Sequence, residues 1–387
     1  MATPATSRLL RRINAQRLLD AVRAADAPLR VTELVALTEL SRPTVDAVAD
    51  DLVRLGWLRE TAAGTGGRGR PARVLEFCAS AGYVAGLDIG ERKVRVAVAD
   101  LLGEIIAERV RFFEEDDRLL VTRQTASATL KDARIKRGQL LSSCVGCTGP
   151  MNPTTGRVLF SDIFPENFDL AGAMARTLGR PIAVENDCNA AVIAERWCGA
   201  AAGLDDIVCV LAAERIGAGI MVGGQVLRGH AGVAGELAFL GQAEEDPDAH
   251  GISQLVRLRS GGKDPADVFA AAAAGDREAL ALVENAERWA GPGIVMAAQI
   301  VNPEVVVISG GVARAGETLL APLRRRLESS VRMPPRLVAS PLADRGPLLG
   351  AIRLALDELE PRLLDGLDEA PEAARPPAAV RRVRRPA

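Results

Sequence analysis

The stretch Arg68-Gly69-Arg70-Pro71, with Gly64, Gly66 and Gly67 just before it, sets cationic side chains on a backbone unsuited to a packed core. An arginine flanked by glycine and proline can enter a narrow minor groove, where the potential is most negative and bulk is excluded. Upstream, Ser41-Arg42-Pro43-Thr44 reads as a helix start, with Ser41 as N-cap and Pro43 in the first turn. Side chains at the N-terminus of such a helix reach base edges in the major groove. Ser41, Arg42 and Thr44 are therefore candidate DNA-contacting residues, together with Arg68 and Arg70. Phosphate contacts would supply most of the affinity and base contacts the selectivity.

Positioning those residues takes a small helical frame. Ile13, Leu18, Leu19 and Val22 recur at helical spacing and predict a first helix. Thr32 is a good N-cap for a short second helix through Leu37. A turn around Glu39-Leu40 leads to the third helix, whose apolar stripe is Val45, Val48, Leu52 and Leu55. Gly56 closes it and Trp57-Leu58 opens a strand. Short helices, a tight turn and a following β-ribbon make the winged helix-turn-helix pattern. A protein-docking module with a plain linker would share the helices but leaves the Gly-Arg-Pro wing without a purpose.

The 387 residues are enough for two or three domains, and a hydrophobic fraction of 48% allows large cores. Net charge is only −2, so the whole molecule is not a general polyanion binder, but the charge is uneven. Up to Ser80 there are twelve Arg, no Lys and nine acids, and the C-terminus adds Arg375, Arg381, Arg382, Arg384 and Arg385. The six cysteines sit mostly in apolar runs, as expected of free thiols in a reducing cytosol. Cys144 and Cys147 form a C-x-x-C at a predicted strand end, with no second pair and no neighbouring His, which favours packed thiols over a redox or metal site. No signal peptide or membrane-length apolar run appears, so the expected location is the cytoplasm and no membrane partner is expected.

After Gly82 the texture changes. Apolar strands are predicted over 84–90, 93–100, 105–111, 139–147 and 181–185, with a helix starting near Asp187. A hairpin is predicted over 207–212 and 217–222, turning at Gly223-Gly224 into 225–227. A strand over 305–309 feeds Gly310-Gly311, and late helices fall at 278–300 and 317–327. Antiparallel opening strands followed by strand–helix alternation argue for two α/β lobes around a cleft.

Six segments carry a family resemblance. They are Leu87-Asp-Ile-Gly90; Gly149-Pro150 with Thr155-Gly156; Glu185-Asn-Asp-Cys-Asn-Ala190; Ile216-Gly-Ala-Gly219; Gly232-Val-Ala-Gly-Glu236; and Ile308-Ser-Gly-Gly311. In this order and spacing the chain resembles the ROK family, which joins repressors, open reading frames and sugar kinases, from Ala5 to about Leu359. The resemblance implies an actin-like, two-lobed ATPase fold, and the N-terminal reader matches the repressor branch. It also implies that Asp187 stands at the kinase base position. The implied ligand set is Asn167, Asn186, Asp187, Glu236 and Gln254, the last by an approximate alignment.

The phosphate loops depart from the kinase pattern. Where a kinase carries Asp-x-Gly-Gly-Thr, this chain reads Asp88-Ile89-Gly90-Glu91-Arg92. Where Gly-Thr-Gly precedes the Ile-Gly-Ala-Gly run, it reads Ala213-Glu214-Arg215. Two glutamates sit where a polyanion should rest, and two unit charges a few ångströms apart repel by about 4 kcal/mol near a protein surface. Glu91–Arg92 and Glu214–Arg215 are expected to form a salt-bridged plug, unless the arginines themselves hold phosphate. Asp88, Gly90, Glu91, Glu214, Gly217, Gly310 and Gly311 are then vestigial phosphate-loop positions. The zinc motif of family members is also missing: Phe239 takes the His position, no cysteine follows Cys209, and His230 and His250 are the only histidines. Two histidines without cysteines make no structural tetrahedral site, so no metal and no cofactor is expected. The acidic stretch Glu244-Glu245-Asp246 with Asp248 reads as a solvated loop.

The expected fold is α/β: a winged helix-turn-helix over 1–80 (wing and linker about 56–80), a two-lobed ROK sugar kinase-like body over 81–360, and a disordered basic tail over 361–387. The expected function is a non-catalytic, sugar-responsive DNA-binding regulator, a repressor, whose partners are an operator duplex and a small-molecule ligand and whose expected assembly is a homodimer or homotetramer. The alternative is an ATP-dependent, glucokinase-like enzyme that retains a DNA-binding domain.

Overall fold

The computed structural model describes residues 4–62, 73–113, 117–152, 154–179, 181–237 and 251–367. Arg68 and Arg70, expected in the wing, together with Phe239, the acidic stretch at 244–248, His250 and the residues beyond 367, lie outside the described residues.

The N-terminal head is built from α1 (Pro4–Arg23), β1 (Leu29–Arg30), α2 (Val31–Thr38), α3 (Arg42–Arg54), β2 (Leu58–Ala62) and β3 (Arg73–Phe77). Ser41 caps α3 by accepting from the Thr44 N–H at 3.4 Å, and Pro43 stands in its first turn. The turn between α2 and α3 is made by Glu39 in the left-handed region, φ 56°. Val45, Val48 and Leu52 are buried as the apolar stripe requires, while Leu55 is half-buried. Two expectations are corrected. Thr32 does not cap α2: the helix begins at Val31, and the Arg30 N–H donates to the Glu33 carboxylate at 2.6 Å, so the acid three residues on serves the orphan donor. Ile13 is 42% exposed, and Ala15 takes the core position instead. β2 and β3 pair antiparallel from Leu58–Phe77 to Ala62–Arg73, and β1 adds to β3 on the other side.

The body holds two five-stranded sheets of the same design. The first contains β4 (Tyr83–Ile89), β5 (Lys93–Asp100), β6 (Ile105–Phe112), β7 (Leu140–Cys147) and β8 (Ile182–Asn186), in the order β6-β5-β4-β7-β8. The second contains β9 (Ile207–Ala212), β10 (Ile216–Val222), β11 (Gln225–Val226), β12 (Val305–Ser309) and β13 (Arg336–Ala339), in the order β11-β10-β9-β12-β13. In each sheet three antiparallel strands are followed by two parallel neighbours. β4, β9 and β12 are buried nearly throughout, as near-continuous apolar runs covered on both faces should be. Helices α4 (Arg118–Asp132) and α5 (Leu170–Leu178) flank the first sheet. Helices α7 (Ile252–Arg259), α8 (Pro265–Ala273), α9 (Arg277–Val301) and α10 (Glu317–Ser330) belong with the second.

Between the sheets lie α6 (Asp187–Cys198) and α11 (Gly346–Leu363). Their backbones come so close that a Cβ on Gly350 would stand 1.8 Å from the Ala190 carbonyl oxygen, so only glycine fits there. The C-terminal half of α11 shares one apolar core with the head, including Leu18, Leu19, Leu356, Leu359 and Leu363. The Trp57 indole N–H donates to the Leu363 carbonyl at 2.6 Å, and Arg23 pairs with Glu360 at 3.0 Å. The sequence patterns gave no helix over 346–363, yet this helix ties head to body. Cys144 and Cys147 are both buried, and being three apart on β7 they point to opposite sheet faces, into two different cores. They are free thiols and cannot pair with each other.

Candidate functional site

A cleft of about 850 Å³ opens between the two sheets. Its inner wall is the junction of β8 and α6. Asn186 caps α6, accepting from the Cys188 N–H at 2.9 Å and the Asn189 N–H at 3.1 Å. Its amide also donates to the Gly149 carbonyl at 3.0 Å. Asn186 is thus largely used in holding the junction, which leaves little of its side chain for a ligand. Asp187, in the first turn of α6, accepts from the Thr148 hydroxyl at 3.0 Å and from the Cys188 N–H at 2.9 Å. Burial pushes its carboxyl up to about 6 despite these donors. Glu185 is buried below them and organises the junction. It accepts from the Asn186 N–H at 3.0 Å, from the Asn189 amide at 2.9 Å and from Nε and Nη2 of Arg228, at 3.0 and 2.6 Å.

Asp88, at the end of β4, is 8% exposed and faces the same space. Burial, with Asp187 nearby, pushes its carboxyl up to about 7, against the pull of Lys93 and Arg95. Glu236 completes the inner wall. It is half-buried, and burial and Asp187 both raise its carboxyl above the usual range.

The outer end is formed by the β4–β5 and β9–β10 turns, and their charges pair across the cleft rather than within each turn. Arg92 reaches Glu214 at 3.5 Å, and Arg215 reaches Glu91 at 3.5 Å. Arg215 also pairs with Asp162, and Arg257 of α7 grips Glu214 in a fork at 2.7 and 2.9 Å. Burial opposes the Glu214 charge, but Arg257 and Arg92 outweigh it and hold the carboxyl below its usual range. The plug expected within each loop is therefore a crossed set of pairs joining the two lobes. The seven vestigial-loop positions all line the cleft: Asp88, Gly90, Glu91, Glu214, Gly217, Gly310 and Gly311. Gly217 is held by packing, since a Cβ there would lie 2.7 Å from the Cys188 sulfur. A second ionic knot is centred on Asp344, which takes Lys93, Arg95 at 2.8 Å and Arg314 at 3.0 Å.

Of the expected ligand residues, the structure brings Asn186, Asp187 and Glu236 to the cleft. Asn167 and Gln254 are not among its lining residues. Asn167 stands exposed at a turn with φ 53°, accepting from Arg157 at 3.0 Å. Gln254 lies on α7, where Ser253 and Arg257 face the cleft in its place. Sequence reasoning missed Thr148, Asp162, Arg228 and Arg257, which lie far from their partners along the chain. In the head, Arg42 has a side chain 68% exposed and stays near Asp46 at 3.9 Å, while Ser41 and Thr44 share a hydroxyl–hydroxyl bond of 2.7 Å at the start of α3. Among the described residues no three His, Cys, Asp or Glu side chains converge as a metal site, and no helix is long and apolar enough to cross a membrane.

Comparison with known proteins follows this division. The ROK family model matches residues 84–358, and the IclR helix-turn-helix model matches residues 13–62. A glucokinase from Thermotoga maritima is 29% identical over 311 residues, covering 71% of this chain and 97% of the relative. A xylose repressor from Caldicellulosiruptor bescii is 24% identical over 366 residues, covering 85% of this chain and 92% of the relative. Among solved structures, a ROK family transcriptional regulator described as a homologue of E. coli MLC superposes with a TM-score of 0.72 at 23% identity, covering 93% of this chain and all of that one. A ROK glucokinase from Streptomyces griseus, in complex with glucose and AMPPNP, gives 0.60 at 25% identity, covering 71% of this chain and all of that one.

Proposed function

We propose, for a chain that belongs to the ROK family and carries an IclR-type helix-turn-helix ahead of it, the function of a sugar-responsive DNA-binding regulator acting as a repressor. Residues 1–80 read the operator, 81–360 sense the ligand, and the protein works in the cytoplasm. Arg42 and Thr44 at the start of α3, with Arg68 and Arg70 of the wing, contact the duplex. Operator half-sites require two heads, so the working unit is a homodimer or homotetramer. A ligand entering between the lobes changes their closure. Because α11 lies against both the cleft and the head, that closure alters the spacing of the two heads.

The observation that carries the non-catalytic reading is the crossed pairing of Arg92 with Glu214 and of Arg215 with Glu91. These side chains occupy the space in which loops of a phosphotransferase would offer glycines and small hydroxyls to a nucleotide tail. The expected result is no ADP formation with any sugar, and tight, salt-sensitive operator binding that Arg42→Ala weakens.

One observation favours a second reading, a kinase that also binds DNA. Asp187 keeps a cleft-facing carboxylate with a pKa of about 6, a suitable value for a general base near neutrality. That reading requires ATP-dependent phosphate transfer lost in Asp187→Asn. A coupled ADP assay on wild type and variant decides between the two.

A further inference from the structure

The acids lining the cleft fall into two groups. Glu91, Asp162, Glu214 and Asp344 each sit in at least one ion pair. Asp264 caps α8 and lies in the field of Arg257. Among the described residues, every cation lining the cleft is spent on that group: Arg92, Lys93, Arg215, Arg257 and Arg314 all pair with it. Asp88, Asp187 and Glu236, which share the inner wall, sit in no ion pair among the described residues. The hydrogen-bond donors to Asp187, the Thr148 hydroxyl and the Cys188 N–H and thiol, are all uncharged. Asp88, 8% exposed and aimed into the cleft, accepts no hydrogen bond from any described residue. Lys93 and Arg95 act on Asp88 only through space, as Arg215 does on Glu236.

A buried carboxylate without a partner is unfavourable, and a bound group that supplies the missing charge gains what the protein withholds. A metal ion does not suit the site, because among the described residues these side chains do not converge closely enough. An anionic ligand would add a further like charge. We propose that the ligand of this cleft is a polyhydroxylated molecule bearing a protonated amine, an amino sugar or aminocyclitol, with the ammonium seated between Asp88 and Asp187 and its hydroxyls shared with Glu236. The inference rests on the sensor reading above and narrows it from sugars in general to cationic ones. It also explains how a cleft can drop its phosphate loops and keep these acids: they serve charge recognition, which needs no turnover.

The test is calorimetric titration of the full-length protein with glucosamine, glucose, N-acetylglucosamine and glucosamine 6-phosphate. Glucosamine is expected to bind on the order of tenfold tighter than glucose, because desolvating the ammonium offsets most of the Coulomb attraction. N-acetylation, which removes the charge, and phosphorylation, which adds the wrong one, should both weaken it. Asp88→Asn should reduce glucosamine to the level of glucose while leaving operator binding by the unliganded protein intact. Asp187→Asn, which removes the other carboxylate flanking the ammonium, gives the same readout should the first variant fold poorly. Equal or tighter binding of glucose or N-acetylglucosamine overturns the proposal and keeps the sugar sensor. An amine preference that survives both substitutions also overturns it. Absence of heat with all four overturns the sensor reading itself, and this proposal with it.

Discussion

The two ends of the cleft are built by different physics. At the inner end, Asn186, Asp187 and Glu185 are fixed by short hydrogen bonds to backbone at the start of α6 and to neighbours on β8. Their geometry follows from the strand–helix junction and would survive changes elsewhere. At the outer end, Glu91, Arg92, Glu214 and Arg215 hold one another across the gap with half-exposed pairs at 3.5 Å. Those pairs depend on how the lobes stand, and salt can screen them. A ligand site that keeps a rigid inner wall and gains a compliant outer rim suits a sensor, since recognition needs the wall and closure needs the rim.

That contrast can be broken most directly at Asp187. Asp187→Asn should weaken ligand binding by about 2–3 kcal/mol, tens of times to about a hundredfold, as expected when a charged hydrogen-bond acceptor is neutralised. Operator binding by the unliganded protein should not change, and calorimetry beside a gel-shift assay reads both. Next in size is Arg228→Ala. It strips the guanidinium from Glu185, which is 6% exposed, and should destabilise the fold by about 2 kcal/mol by urea denaturation. An unchanged midpoint would mean that the inner wall does not depend on this pair.

The pH dependence sharpens the comparison. Folding raises the Asp88 carboxyl from 3.8 to about 7, so between those values the folded chain binds more protons than the unfolded one. Stability from this group should therefore be greatest near about pH 4 and fall as pH rises toward about 7. Asp88→Asn should flatten that slope and raise the melting temperature at pH 8 by about 2–4 °C. A slope unchanged by the substitution would show that Asp88 is not the group responsible. The smallest effect belongs to the rim. Arg92→Ala, with a side chain 60% exposed, should cost less than about 1 kcal/mol and less still at high salt.

Much of this was legible beforehand where a pattern is local. Ser41 as N-cap, the buried stripe Val45, Val48 and Leu52, and the strands at 93–100, 207–212 and 305–309 all stand where spacing and caps placed them. The misses are equally physical. Thr32 lost the capping position to a Glu33 bond with the Arg30 N–H, a competition that residue preference alone does not rank. Arg228, Arg257 and Thr148 entered the site through folding, since each lies at least 39 residues from the partner it holds. Asn167, expected at the cleft, remains on an exposed turn.

What the sequence by itself determined is the inventory: a helix-turn-helix head, two strand-led lobes, and the acids Asp88, Glu91, Asp187 and Glu214 at strand ends and turns. Those follow from periodicity, caps and residue types, which act over a few residues. Only the tertiary structure decided which charge meets which. The glutamates pair across the cleft rather than with their neighbours, the three inner acids are left without cations among the described residues, and α11 joins the head to the cleft. Pairing depends on distances between chain segments far apart in sequence, and those distances exist only once both lobes have packed.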